Sequence, residues 1–254
     1  MFKLTKYEFR KNITAPAIFL AVILAVELFF LGSIAIAAEG FAAPLAYGIL
    51  TFIMLFSFFI VLIFSIASYS KELRSKSGYM TFMAPISTYQ IIGSKLLSSF
   101  LVAAIFAVLF FVLLPVNTGL LASTYTNIGT FFDFAKEFIE LLGYNFKEIV
   151  VNGAVLIFEL MVSFYYVVVL AYFAISLSST VFQEKKFKWV VTTVIFVVLY
   201  ATTSFIADKI PMIGDPVTIG EVFIAELPVL SFYLVCIIAS YIGSAMLLEK
   251  KISL

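Results

Sequence analysis

The chain has 254 residues, of which 63% are hydrophobic and only 12% charged, with 30 Phe and 13 Tyr. Roughly a quarter of the residues of an average globular chain are charged, so a soluble domain of this length is excluded and an all-α polytopic membrane protein is expected. The net charge of +1 gives no reason to expect a nucleic-acid partner; the positions of the charges carry the information.

Residues 1–14, MFKLTKYEFRKNIT, place Phe2, Phe9 and Ile13 on one helical face, with Lys3, Glu8, Arg10 and Lys11 elsewhere. This pattern suits an elbow helix in the cytoplasmic interface, with Phe2, Phe9 and Arg10 as its contact residues. A plain basic topology anchor fits the same residues. The basic start and the run closing in Ala35-Ile36-Ala37-Ala38 resemble a secretory signal. The apolar run 16–38 is longer than a signal core and contains Glu27, so a retained span is expected.

Six apolar runs follow, each close to the ~20 residues that a bilayer crossing needs. They lie near 16–38, 44–68, 96–116, 152–177, 189–207 and 228–248. Every proline is expected outside a span interior. Pro16, Pro44 and Pro228 open spans, where a missing amide proton costs nothing, Pro115 closes one, and Pro85, Pro211 and Pro216 sit in connectors. With both termini inside, thirteen of the 16 Lys and Arg residues face the cytoplasm and only Lys136, Lys147 and Lys209 lie outside. That asymmetry predicts the orientation.

The outer connectors are 117–151 and 208–227. In the first, residues 131–149 alternate apolar Phe131, Phe134, Phe138, Leu142 and Ile149 with charged residues at helical spacing. The pattern predicts a helix, broken near Gly143, resting on the outer leaflet or capping the bundle. The second mixes Pro211, Gly214, Pro216 and Gly220 with apolar residues and is expected to dip back toward the membrane. No repeat or low-complexity linker divides the chain, so 1–254 reads as a single membrane domain.

Two carboxylates interrupt the spans, Glu27 near the middle of the first and Glu159 in the outer third of the fourth. A charge at mid-bilayer costs at least a few kcal/mol, so both are expected to face the bundle interior. There they serve either as polar points on a translocation path or as groups hydrogen-bonded to a neighbouring helix. Pairs such as Phe29-Phe30, Phe58-Phe59 and Tyr165-Tyr166 fit interface belts and, alternatively, an apolar route. The single Cys236 reads as a small buried apolar residue.

Catalytic motifs are missing. The chain has no histidine, and it lacks H-E-x-x-H, G-x-S-x-G and G-x-x-x-x-G-K-[ST]. No catalytic, metal-binding or cofactor-binding residue is therefore assigned, and any ATP must be bound by a separate polypeptide.

The longest polar interruption on the inner side is 69–95, YSKELRSKSGYMTFMAPISTYQIIGSK. Residues 71–80 are able to form two to three helical turns, with Ser70 as a cap and Gly78 as a stop. Taken alone, these residues favour a solvated loop that only maintains topology. The ordered set Glu72, Ser77-Gly78, Pro85-Ile86-Ser87 and Gly93-Ser94-Lys95, with the closing Leu247-Leu248-Glu249-Lys250-Lys251, resembles the permease subunit of type-2 ABC exporters.

The resemblance covers essentially the whole chain. It implies that Lys71, Glu72, Arg74, Ser77 and Gly78 belong to a coupling helix that docks on an ATPase. Two ATPase copies carrying ATP and Mg would pair with this chain and a second copy or close paralogue, in the cytoplasmic membrane of a bacterium, working by alternating access. Phe131, Phe134 and Phe138 would then lie at the external gate. The compact length, the Phe-rich outer helix and nine outer acids against three lysines favour a hydrophobic or amphipathic cargo such as a cationic peptide. The alternative class is a membrane-embedded immunity or regulatory protein that binds such a peptide without moving it.

Overall fold

The computed structural model describes residues 2–36, 41–74, 86–125, 146–181, 188–214 and 219–252. Seven helices run through them: α1 (Phe2–Asn12), α2 (Thr14–Ala35), α3 (Ala42–Arg74), α4 (Thr88–Tyr125), α5 (Phe146–Val181), α6 (Lys188–Ala207) and α7 (Ile219–Ile252). Six of these, α2 to α7, are long and apolar enough to cross a bilayer. Hydrocarbon offers no partner to an unpaired backbone amide, so sequences this apolar satisfy their backbones within helices. The protein is an all-α polytopic membrane protein.

Helix lengths depart from the expected spans in an informative way. The helix α6 starts one residue before the expected 189 and ends where expected, at Ala207. By contrast α3 has 33 residues and α4 has 38. At about 1.5 Å per residue, α4 is roughly 57 Å long, nearly twice the hydrocarbon thickness. Its first turns are therefore not loop: Gly93, Ser94 and Lys95, expected in a connector, are buried within the helix. Ser87 sits at its start, where its carbonyl accepts from the amides of Gln90 (2.9 Å) and Ile91 (3.2 Å). Ser70, expected as a helix cap, lies inside α3, which continues to Arg74.

Two prolines correct the expectation that every proline lies outside a span interior: Pro115 lies within α4 and Pro228 within α7. Each removes one amide from the helical ladder, yet neighbouring contacts carry α4 onward to Tyr125. Asn117 and Thr118, just past Pro115, both bond to other helices (2.8 and 2.6 Å). Residues 219–227, expected in the outer connector, form the first turns of α7. The turn before it folds back on α7, because the Ile213 amide donates to the Ala225 carbonyl (3.2 Å) and Gly214 takes φ 74°. Of the expected outer helix 131–149, residues 146–149 begin α5 and 131–145 lie outside the described residues.

The chain clusters into two compact units. One comprises Met1–Lys6, Phe64–Leu97 and Lys147–Leu254; the other comprises Tyr7–Ile63 and Ser98–Phe146. At the centre of the first is α5, with 61% of its apolar stretch buried against 6% in α6 and 11% in α7. From Val168 to Ser179 only Phe173 and Leu177 are not fully buried. Such all-round burial is expected of a helix that is apolar all round and surrounded by others. Close approach of α7 is set by Gly243: a Cβ there would lie 2.7 Å from Cε2 of Phe173.

In the second unit, Ile23, Glu27 and Phe30 form the buried face of α2, one turn apart. Phe30 meets Tyr47 of α3 (ring centroids 6.1 Å apart), and Phe19 of α2 meets Phe106 of α4 edge-on. Phe58 of α3 likewise meets Phe110 of α4.

Candidate functional site at the foot of α3 and α4

The polar loop expected to receive a partner is carried by the last turns of α3 and the first turns of α4. Both belong to the α5-centred unit. On α3, Ser65, Tyr69 and Glu72 recur at i, i+4 and i+7, which places them on one face. All three are buried.

That face meets α5 through a ladder of hydroxyls. Tyr69 stacks on Tyr172 with ring centroids 4.0 Å apart and planes within 10°. The Tyr69 hydroxyl pairs with Ser176 Oγ (2.6 Å), and the Tyr172 hydroxyl pairs with Ser65 Oγ (3.1 Å). A buried hydroxyl without a partner costs about 1–3 kcal/mol, so this reciprocal pairing fixes the rotation of α3 against α5.

One turn beyond Tyr69, the Lys95 ammonium of α4 donates to Glu72 Oε2 in a buried ion pair, the two side chains only 4% and 5% exposed. Desolvating two charges is tolerable only where they meet each other with good geometry. The pair bridges 23 positions of sequence and closes the base of the loop. Three further bonds hold α4 from other sides. The Tyr165 hydroxyl of α5 donates to the Leu96 carbonyl (2.9 Å). The Tyr241 hydroxyl of α7 donates to the Tyr89 carbonyl (2.7 Å), with the two rings edge to face. Thr88 Oγ1 donates to Glu249 Oε1, also on α7 (2.9 Å). Both ends of the loop are therefore fastened to the same helical body.

Neither family models, nor characterised proteins, nor solved structures give a match to this chain. The site is read on its own geometry.

Of the residues expected to contact an ATPase, Lys71 is exposed. Glu72 is not: it is turned inward onto Lys95, so its carboxylate positions the loop rather than presenting itself to a partner. The backbone of Arg74 ends α3, while its side chain, Ser77 and Gly78 lie outside the described residues, as do Phe131, Phe134 and Phe138. In α1, Phe2 and Arg10 are exposed and Phe9 is half-buried.

Glu27, in the other unit, is buried and accepts a hydrogen bond from Asn117 Nδ2 (2.8 Å). This matches the expected bond to a neighbouring helix, with an amide in place of a serine or threonine. Glu159 is half-buried on α5. Phe30, Tyr165 and Tyr166 face inward, whereas Phe29 and Phe59 are exposed. Cys236 is half-buried rather than fully enclosed.

The ladder partners Ser65, Tyr172 and Ser176 escaped the sequence reading, as did the role of Lys95 in holding the loop. The available signal was polar side chains at helical spacing inside apolar runs: 65, 69 and 72 on one span, 172 and 176 on another. Chemically the foot is a fastening. Among the described residues, no three His, Cys, Asp or Glu side chains gather to hold a metal ion.

Proposed function

We propose that this chain is the transmembrane permease subunit of an ATP-driven exporter of the type-2 ABC kind. It resides in the cytoplasmic membrane of a bacterium with both termini inside and is not itself an enzyme. A separate ATPase, present in two copies with ATP and Mg, docks on the loop that follows α3. A second permease copy or close paralogue completes the assembly, and a hydrophobic or amphipathic substrate, best taken as a peptide, crosses by alternating access.

The observation that carries this reading is the double fastening of the loop. A loop that only maintained topology would need no buried ion pair, stacked tyrosines and two bonds from α7 at its roots. Held this way, a displacement applied to the loop passes into α5 and α7 instead of dissipating in the connector. The exposed Lys71 beside the buried Glu72 offers a charge for complementary contact with a soluble partner.

The test is a mild-detergent purification of the tagged protein from its native cell, with co-purifying chains identified by mass spectrometry. A stoichiometric soluble protein with a P-loop is expected, and it should be lost when Lys71 and Arg74 are both reversed to Glu. Recovery of no such protein, even after crosslinking, overturns the exporter reading in favour of peptide binding without transport.

A further inference from the structure

The face that α1 turns to the rest of the protein is the opposite of what an amphipathic helix of a soluble protein buries. Successive helical residues turn by about 100°. One arc carries Leu4, Thr5, Glu8 and Asn12, and here Thr5 and Glu8 are buried, with only 4% and 1% exposed. The remaining arc carries Phe9, Phe2 and Ile13, followed directly by Lys6, Arg10, Lys3 and Tyr7, with the exposed Lys11 at its far edge. Phe2 is 84% exposed and Tyr7 62%, and Ile13, Lys3, Lys6 and Arg10 are exposed too.

Three features of this arc select its occupant. Lys6, Arg10 and Lys3 fall within about 60° of one another and border the apolar stripe, so both groups meet the same surface at once. Glu8, the one acidic residue of α1, is on the buried arc, so the outward arc is purely cationic. The arc also begins where a membrane span begins. Only Ile13 separates α1 from α2, and it keeps right-handed helical dihedrals (φ −67°, ψ −22°) while its carbonyl accepts from the Ala17 amide (2.8 Å).

We propose that the outward arc of α1 is a binding surface for anionic phospholipid headgroups. Phe2, Phe9 and Ile13 enter the acyl boundary while Lys3, Lys6 and Arg10 engage phosphates bearing net negative charge. A zwitterionic headgroup offers the same phosphate with its charge cancelled, so it is bound less. The proposal stands independently of the exporter reading, since it concerns only α1 and lipid.

The test uses the full chain reconstituted in vesicles of about 30 mol% phosphatidylglycerol in phosphatidylcholine. Trp189, the only tryptophan, is replaced (Trp189→Phe), and Tyr7→Trp places a fluorophore on the outward arc. Quenching is compared when bromine is carried by the phosphatidylglycerol and when it is carried by an equal mole fraction of the phosphatidylcholine. The anionic lipid is expected to quench about twofold more or better, with the ratio falling toward one at high salt.

The ratio should also fall toward one in Lys3→Gln/Lys6→Gln/Arg10→Gln and persist in Lys3→Arg/Lys6→Arg, which keeps charge and fold. Equal quenching by the two lipids in the parent protein, a preference that survives the triple neutralisation, or no quenching by either lipid each overturns the proposal.

Discussion

Replacing Lys95 with methionine probes the fastening directly. The change keeps most of the side-chain volume and removes the charge, leaving the Glu72 carboxylate about 95% enclosed without its ammonium. Opposite unit charges about 4 Å apart attract by about 4 kcal/mol at the effective dielectric constant of ~20 that suits protein sites. Removing one partner of a buried pair costs about 3–5 kcal/mol, whereas replacing both with apolar residues of similar volume is close to neutral.

Lys95→Met and Glu72→Leu should therefore each destabilise the protein by about 3–5 kcal/mol, and the double variant should recover most of that loss. Thermal unfolding of the purified protein in a mild detergent reads the effect, as a fall in Tm on the order of 10 °C for each single variant. Recovery in the double variant would show that the fastening needs contact rather than charge. Single variants within about 1 kcal/mol of the parent, or a double variant no better than the worse single, would refute the idea of an enclosed, mutually dependent pair.

Further predictions concern the other contacts. Tyr69→Phe should cost about 1–2 kcal/mol by leaving Ser176 short of its partner. Adding Ser176→Ala should cost less than the sum of the two singles, which a double-mutant cycle on Tm measures. Gly243→Ala sets a Cβ 2.7 Å from the Phe173 ring and should destabilise by about 1–3 kcal/mol, with partial relief from Phe173→Leu. An unchanged Tm in Gly243→Ala would mean that the α5–α7 contact is not close-packed. Asn117→Leu strips Glu27 of its amide donor and should lower stability more than Glu27→Gln/Asn117→Leu does, because the double variant leaves no enclosed carboxylate. Expression and Tm of the two variants, compared side by side, decide it.

How far the sequence announced these features depended on whether the signal was local. The helix α6 was legible nearly to the residue because an uncharged, mostly apolar run lies between Lys188 and Asp208. The ends of α4 were not, because Gly93, Lys95 and Pro115 are each ordinary boundary markers. Inside this protein they are overridden by contacts made elsewhere in the chain: Glu72 accepts the Lys95 charge, and Glu27 and Tyr47 hold Asn117 and Thr118 just beyond Pro115. Ser65, Tyr69 and Glu72 lay on a visible helical stripe, but their partners on α5 and α4 are set by packing, which no local pattern records. The same holds for Glu72 itself. Its charge suggested an exposed contact residue, and only the partner 23 positions away turns it inward.

The contacts that finish the foot of α4 also impose an order on how the protein is made. Thr88 waits for Glu249, 161 positions later, and the Tyr89 carbonyl waits for Tyr241, 152 positions later. A ribosome feeding this chain into the membrane delivers α3, α4 and the loop between them well before α7 emerges. Until α7 inserts, the foot of α4 is held by α3 and α5 but lacks its two bonds to α7. The fastening at the foot of α4 is thus tied to completion of the bundle, so a half-made chain holds this helix end by fewer bonds than the finished one.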